Sequence, residues 1–219
     1  MNALPRRCLL LAGLLAHSFA AACASSGAPA WTEMDYPGML RPATALSPDV
    51  LWQQRITAHW GEDQQRGFDA AVQKQGSTLT VLGLSPIGAI GFVMLLRGTD
   101  IELQNQSGQE LPFPPRFIVL DVQRTFYPWL EPAIGPDGGR TGVVGDERVQ
   151  ELWRDGRLLQ RRFSRLDGEP EGSITITYDW RDAEPQRLAP LHTVLDNGWF
   201  HYRLTVDTHT ETLLPAPPP

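Results

Sequence analysis

The sequence predicts a mainly β (α+β) domain, a curved antiparallel sheet with a helix packed in its concavity. Three observations carry this. Apolar residues recur with period two along much of residues 47–214, as they do where successive side chains point to opposite faces of a strand. One segment near the middle instead reads as an apolar helix. Strands therefore precede and follow a single helix, an order that places the helix against one face of the sheet.

The elements can be taken in turn. Gln54, Ile56, Ala58 and Trp60 alternate with Arg55, Thr57 and His59, and Leu79 and Val81 mark a second strand. Ile101 and Leu103 against Glu102 and Gln104 mark another. Pro115 suits a first helical position and Pro128 stops the helix. Phe117, Ile118, Leu120, Val122 and Phe126 lie between them, too many for one narrow stripe, so most of the segment should be buried. Asp155-Gly156 offers a hairpin turn between 149–154 and 157–165, where a helical reading also stays open. Ile174, Ile176, Tyr178 and Trp180 face one way from the cleanest strand. Asn197-Gly198 suits a two-residue turn, which would set Leu195 opposite Phe200 and His192 opposite Arg203. Leu191, Thr193, Leu195, Phe200, Tyr202, Leu204 and Val206 then share one face.

Segment 89–97 does not alternate. Ala89, Ile90, Gly91, Phe92, Val93, Met94, Leu95 and Leu96 are apolar in both directions, so such a strand should be covered on both sides. It is either a plain core strand or the wall of an apolar cavity.

The 219 residues carry 42% hydrophobic and 20% charged side chains and a formal charge of −6, consistent with one globular domain. Residues 1–22 have the anatomy of a secretory signal: Arg6-Arg7, an apolar stretch from Cys8, and Ala20-Ala21-Ala22. Their removal leaves 17 basic against 25 acidic residues, a formal −8. That balance repels phosphate backbones, so no nucleic-acid partner is expected. Phe19-Ala20-Ala21-Ala22-Cys23 resembles a lipobox with Ala20 where Leu is usual, and predicts acylation of Cys23. Ordinary secretion, with cleavage after Ala22, is the alternative. Cys23 would be the only thiol of the mature chain, which excludes an intrachain disulfide and a thiolate zinc site. Residues 23–46 read as the lipidated Cys and a flexible tether, 47–214 as the domain, and 215–219 as a Pro-rich tail that cannot join a sheet. Ala24, in place of an Asp that retains lipoproteins at the inner membrane, points to a lipid-anchored position on the periplasmic side of the outer membrane.

Leu84-Ser85-Pro86-Ile87-Gly88, the apolar strand after it, and Arg97 to Leu103 resemble the outer-membrane lipoprotein receptor family LolB. More broadly, 47–208 resembles the LolA/LolB-like lipoproteins of aryl-polyene pigment clusters. That likeness rests on Gln53-Gln54-Arg55, Leu82 to Gly88, Leu120 to Gln123, Ile174 to Tyr178 and Trp199 to Leu204. It implies an incomplete antiparallel barrel wrapped around one or more helices, whose inner face accepts acyl chains. It also implies a membrane- or ligand-delivery role for the turn Pro86, Ile87 and Gly88. Candidate cavity residues are Ile90, Phe92, Met94, Leu96, Phe117, Leu120, Phe200 and Tyr202. Expected partners are a lipid or acyl-chain ligand, a membrane reached through the lipid anchor, and a periplasmic LolA-like carrier. The alternative is an accessory lipoprotein with a filled core that binds another envelope protein.

Signals for catalysis are missing: there is no Gly-x-Ser-x-Gly elbow, no His-Glu-x-x-His and no phosphate-cradling glycine loop, so no enzyme and no cofactor is expected. His192 and His201 share the polar face of the expected hairpin and His209 has the parity of His201, an arrangement that would suit a metal or, more simply, solvated histidines; no metal is expected. Asp179 and Asp182 read as turn acids. Arg161, Arg162 and Arg165 read as a solvated strand edge, with lipid headgroups as the other reading. The stretch around Pro136-Asp137-Gly138-Gly139 reads as a turn.

Overall fold

The computed structural model describes residues 32, 36–85, 87–108, 111, 113–181, 183–184 and 186–215. The leader, Cys23, Pro86, Asp182 and residues 216–219 lie outside the described residues.

Five strands come first: β1 (Val50–Trp60), β2 (Gln64–Gln75), β3 (Thr78–Leu84), β4 (Ile90–Arg97) and β5 (Asp100–Asn105). The helix α1 (Pro115–Phe126) follows, and then β6 (Gly138–Val144), β7 (Glu147–Arg154), β8 (Arg157–Arg165), β9 (Ile174–Asp179), β10 (His192–Asn197) and β11 (Tyr202–Leu213). Every pairing is antiparallel, in the order β5-β4-β3-β2-β1-β11-β10-β9-β8-β7-β6. Chain continuity explains most of this order, since neighbouring strands are consecutive along the chain. The exception is β1 with β11, which spans the whole domain. The sheet is open: β5 and β6 each lack a second strand partner among the described residues.

Laid flat, eleven strands at ~4.8 Å spacing would span about 50 Å, against a helix only ~10–12 Å across with its side chains. Yet Trp52, Val72, Leu79, Met94, Val149, Phe163, Ile176, Leu195 and Tyr202 join Phe117 and Leu120 of α1 in one core. A single helix touches so many strands only if the sheet curls around it. The predicted half-open β architecture therefore holds.

The helix bounds also hold, with Pro115 at the first helical position. One stripe of α1, Ile118, Asp121, Val122, Thr125 and Phe126, faces β1–β4 across a cleft. The spacing i, i+3, i+4, i+7, i+8 is that of one helical face. Phe117, Leu120 and Arg124 look the other way, into the dense half of the core.

Four expectations need correction. Residues 36–46 do not form a free tether. Tyr36, Leu40, Ala43 and Leu46 are buried, and the segment is strapped across α1. Arg41 N donates to Gln123 Oε1 at 3.0 Å and Gln123 Nε2 donates to Arg41 O at 2.6 Å, while Arg116 and Arg124 reach the carbonyls of Gly38 and Pro37.

The second correction concerns the β10–β11 hairpin. Asn197 is the last residue of β10, opposite Tyr202, and His192 faces Asp207, not Arg203. Asn197 Oδ1 accepts from the N–H groups of Trp199 and Phe200 (both 3.1 Å), and its Nδ2 donates to Tyr36 Oη at 2.9 Å. The side chain thus builds an Asx-type loop over 198–201, in which His201 takes the positive φ of 54°. Gly198 is required for another reason: a Cβ there would press on Ser173 O.

Third, β4 is not covered on both faces by further elements. Met94 and Leu96 are fully buried, but Val93 and Leu95 on the outer face are half-buried. Register places Leu82 and Gln104 beside Val93, and Thr80 and Glu102 beside Leu95. Fourth, Gly138 and Gly139 are not a turn but the start of edge strand β6.

Candidate functional site

The cleft between α1 and β1–β4 has a volume of about 460 Å³, within the ~300–1,000 Å³ typical of small-molecule sites. Ile56, Phe68, Val81 and Phe92 line its sheet wall, with Leu204 and Val206 from β11. Its open end lies where β1 finishes, β2 begins, β3 finishes, β4 begins and β5 finishes. Arg66, Ser85, Ala89, Gln106 and Ser107 stand there. Phe126, which lines the cleft, packs at a tilt against Trp52, with ring centroids 4.6 Å apart.

Glycine shapes the sheet wall. Gly83 pairs with Phe92 across β3 and β4, and a Cβ at Gly83 would overlap the Phe92 ring. The absent side chain lets Phe92 lie flat on the strand, edge-on to Phe68 at 6.2 Å. Volume that a larger residue would occupy stays in the cleft.

Beside the open end, the β3–β4 turn projects. Ser85 N donates to Ala89 O and Gly88 N to Ser85 O, both at 2.8 Å, and Gly88 takes a positive φ of 79°. Ile87 at the tip is 91% exposed, and Ile90 at its base is 43% exposed.

The cavity candidates divide. Ile90 and Phe92 line the cleft. Met94, Leu96, Phe117 and Leu120 are fully buried in the core and do not line it. Phe200 packs edge-on against Phe117 at 5.0 Å and Tyr36 at 5.4 Å. Tyr202 donates to Asp121 Oδ2 at 2.5 Å.

That last bond belongs to a buried polar network absent from the sequence reading. Asp121 also accepts from Tyr36 Oη. Burial pushes its carboxyl up to about 6, against the pull of the two tyrosine hydrogen bonds and Arg124. Both tyrosines are held well above the usual phenol range by burial and then by the Asp121 charge. Arg124 lies over the rings of Tyr36, Trp199 and Phe163 at 4.6, 5.1 and 5.3 Å and pairs with Glu147 at 2.7 Å. Glu151 bridges Arg161 at 2.8 Å and Arg140 at 2.6 Å. Arg161 is therefore buried on an interior strand and is no solvated edge. The network ties α1 to β7 and β8, so it holds one wall of the cleft in place.

Elsewhere, His192 Nδ1 lies 2.6 Å from Asp207 Oδ1. Among the described residues no group of three His, Cys, Asp or Glu could hold a metal ion. Asp179 is held at about 2, chiefly by the Arg181 side chain. No described helix is long and apolar enough to cross a membrane.

A family described as "Protein of unknown function (DUF3261)" matches residues 51–210. Among curated proteins nothing matches the chain. Solved structures are similar to it, these three among them. One is a LolA superfamily protein from Nitrosomonas europaea, at 13% identity over 77% of this chain and 87% of that one, with a TM-score of 0.49. A putative outer membrane lipoprotein-sorting protein domain from Vibrio parahaemolyticus has 11% identity, 75% and 85% coverage, and a TM-score of 0.40. A DUF1329 family protein from Desulfovibrio piger has 13% identity, 75% and 85% coverage, and a TM-score of 0.35.

Proposed function

Taking as premise that the chain belongs to the DUF3261 family, we propose that it binds a single apolar, acyl-type chain in the cleft between α1 and β1–β4. We further propose that it does so as an envelope lipoprotein anchored through Cys23. The observation that supports binding is the cleft itself: about 460 Å³ of space with walls of Ile, Leu, Val and Phe. A filled core, as an accessory protein would have, leaves no such space.

The magnitudes fit. Each methylene removed from water contributes ~0.8 kcal/mol, so ten of them give about 8 kcal/mol. That exceeds the lower bound of about 4 kcal/mol for the lost freedom of the ligand. Ile87, exposed beside the open end, is placed to touch a membrane or a partner while the chain passes. A lipoprotein acyl group or a polyene-lipid product would suit the cleft, on the likeness of residues 47–208 to the lipoproteins of aryl-polyene clusters. A periplasmic LolA-like carrier would then be the donor.

The test uses the Cys23→Ser protein, which cannot be acylated, purified without detergent. Native mass spectrometry should show a co-purified lipid, and cis-parinaric acid should bind near one to one. A protein that carries no lipid and leaves the probe dark defeats the reading. The anchor has its own test: labelled palmitate should mark the wild type and spare Cys23→Ser.

A further inference from the structure

We propose that the cleft takes a chain with one anionic headgroup, a carboxylate or phosphate monoester, and that Arg66 at the open end holds it. This inference rests on the binding role proposed above and adds the polarity and orientation of the ligand.

Arg66 is opposite Ala58 in the β1–β2 register, and Ala58 is buried on the concave face. Cross-strand partners share a face, so Arg66 belongs to the inner surface, not to the solvated outside. It is the only basic residue among the described residues that line the cleft. Its neighbour along that face is Phe68, and every further step inward on β1–β4 is apolar or small until Gln54. On the outer, exposed face of the same hairpin Arg55 pairs with Asp69 at 3.1 Å.

The one acid lining the cleft, Asp121, stands on the helix wall, with its oxygens taken by Tyr36 and Tyr202. A negative headgroup moving inward would meet that carboxylate in a low-dielectric space and be repelled. At the open end it meets a guanidinium, whose planar fork matches carboxylate and phosphate oxygens. Ser85, Gln106 and Ser107 stand at the same end and add polar groups around the head. The two charges therefore fix one direction of entry: tail first, head at Arg66. With a chain whose formal charge is −6, attraction for an anion at this opening is local to Arg66.

Displacement of cis-parinaric acid by palmitate, hexadecyl phosphate and hexadecanol tests this on the Cys23→Ser protein and its Arg66→Gln derivative, with inorganic phosphate as a headgroup-only control. Arg66→Gln should weaken palmitate and hexadecyl phosphate about tenfold or more and hexadecanol less than twofold, and inorganic phosphate should not displace. Equal loss for acid and alcohol, or no loss for either, overturns the headgroup assignment and leaves the apolar cleft standing. If palmitate and hexadecanol both fail to bind before Arg66 is changed, the underlying binding role falls instead. Displacement by inorganic phosphate alone would also overturn the proposal, as it would show an anion site independent of the chain.

Discussion

Gly83 and Asp121 show how much of the cleft is set by single side chains. A methyl at Gly83 would collide with the Phe92 ring, which lines the cleft and would be pushed toward it. Gly83→Ala should therefore fold, lose cleft volume and weaken a sixteen-carbon chain more than a ten-carbon one, read by displacement titration. Equal affinity for both lengths would show that Phe92 moves elsewhere. Ile87 is the converse case. Its side chain touches little at 91% exposure, so Ile87→Glu should leave the thermal midpoint and ligand affinity unchanged. Transfer of a bound fluorescent chain to lipid vesicles should slow severalfold; an unaltered transfer rate would remove the turn from delivery.

Asp121 adds a pH signature. Its folded-state pKa of about 6 lies above the ordinary value of 3.8, so the folded protein holds this proton more tightly than the unfolded chain does. The stabilisation from protonation is fully present below about pH 4 and lost as pH rises through 6. Asp121→Asn should remove that dependence. The stability of the wild type minus that of Asp121→Asn should fall by up to about 3 kcal/mol between pH 4 and pH 7, measured by denaturant unfolding. A flat difference would mean that the carboxyl titrates normally.

Among the elements, α1 serves two masters. One stripe faces the cleft, and the opposite side is bound to the 36–46 strap and to β7–β8 through Arg124, Gln123 and Glu147. Removing one partner of a buried ion pair leaves an uncompensated charge, at a cost of about 3–5 kcal/mol. Arg124→Met should reach that range in unfolding experiments, and the double change with Glu147→Gln should recover part of it. The strap makes a similar prediction. Tyr36, Leu40 and Leu46 are each buried, at ~1.5–3 kcal/mol per large apolar side chain. A chain beginning at residue 47 should lose about 5 kcal/mol or more relative to one beginning at residue 36, or fail to fold. Comparable midpoints for the two would return 36–46 to the role of a free tether.

Across the whole molecule, local pairing builds nearly everything and one long-range pairing finishes it. Hairpins β1 to β5 and β6 to β11 form two runs that meet only where β1 joins β11, with partners from Val50↔Leu213 to Trp60↔Tyr202. Contacts of such separation slow folding.

Period-two alternation and the two prolines around α1 marked the helix and most of the strands, because those signals are local: a strand's two faces and a helix's first turn are written in neighbouring residues. Strand β2, whose first half holds Phe68 alone among Gln, Arg, Gly and Asp, and edge strand β6, whose start read as a turn, carry too few apolar side chains there to show the period. The Asp155-Gly156 turn was legible only as one of two readings, and the structure decides for the hairpin, with both residues at positive φ. What sequence could not supply was register and the fate of polar side chains. Without the irregularity between Leu152 and Trp153, Glu151 would face Gln160; with it, Glu151 faces Arg161, and two apparent surface charges become a buried pair. Asn197 likewise looks like a turn residue until Tyr36, 161 positions away, claims its amide. The cleft itself is the space left when one helix stripe and a bent sheet fail to meet, and no segment encodes that alone. Local chemistry chose the elements; only their closure decided which inward faces touch and which remain apart.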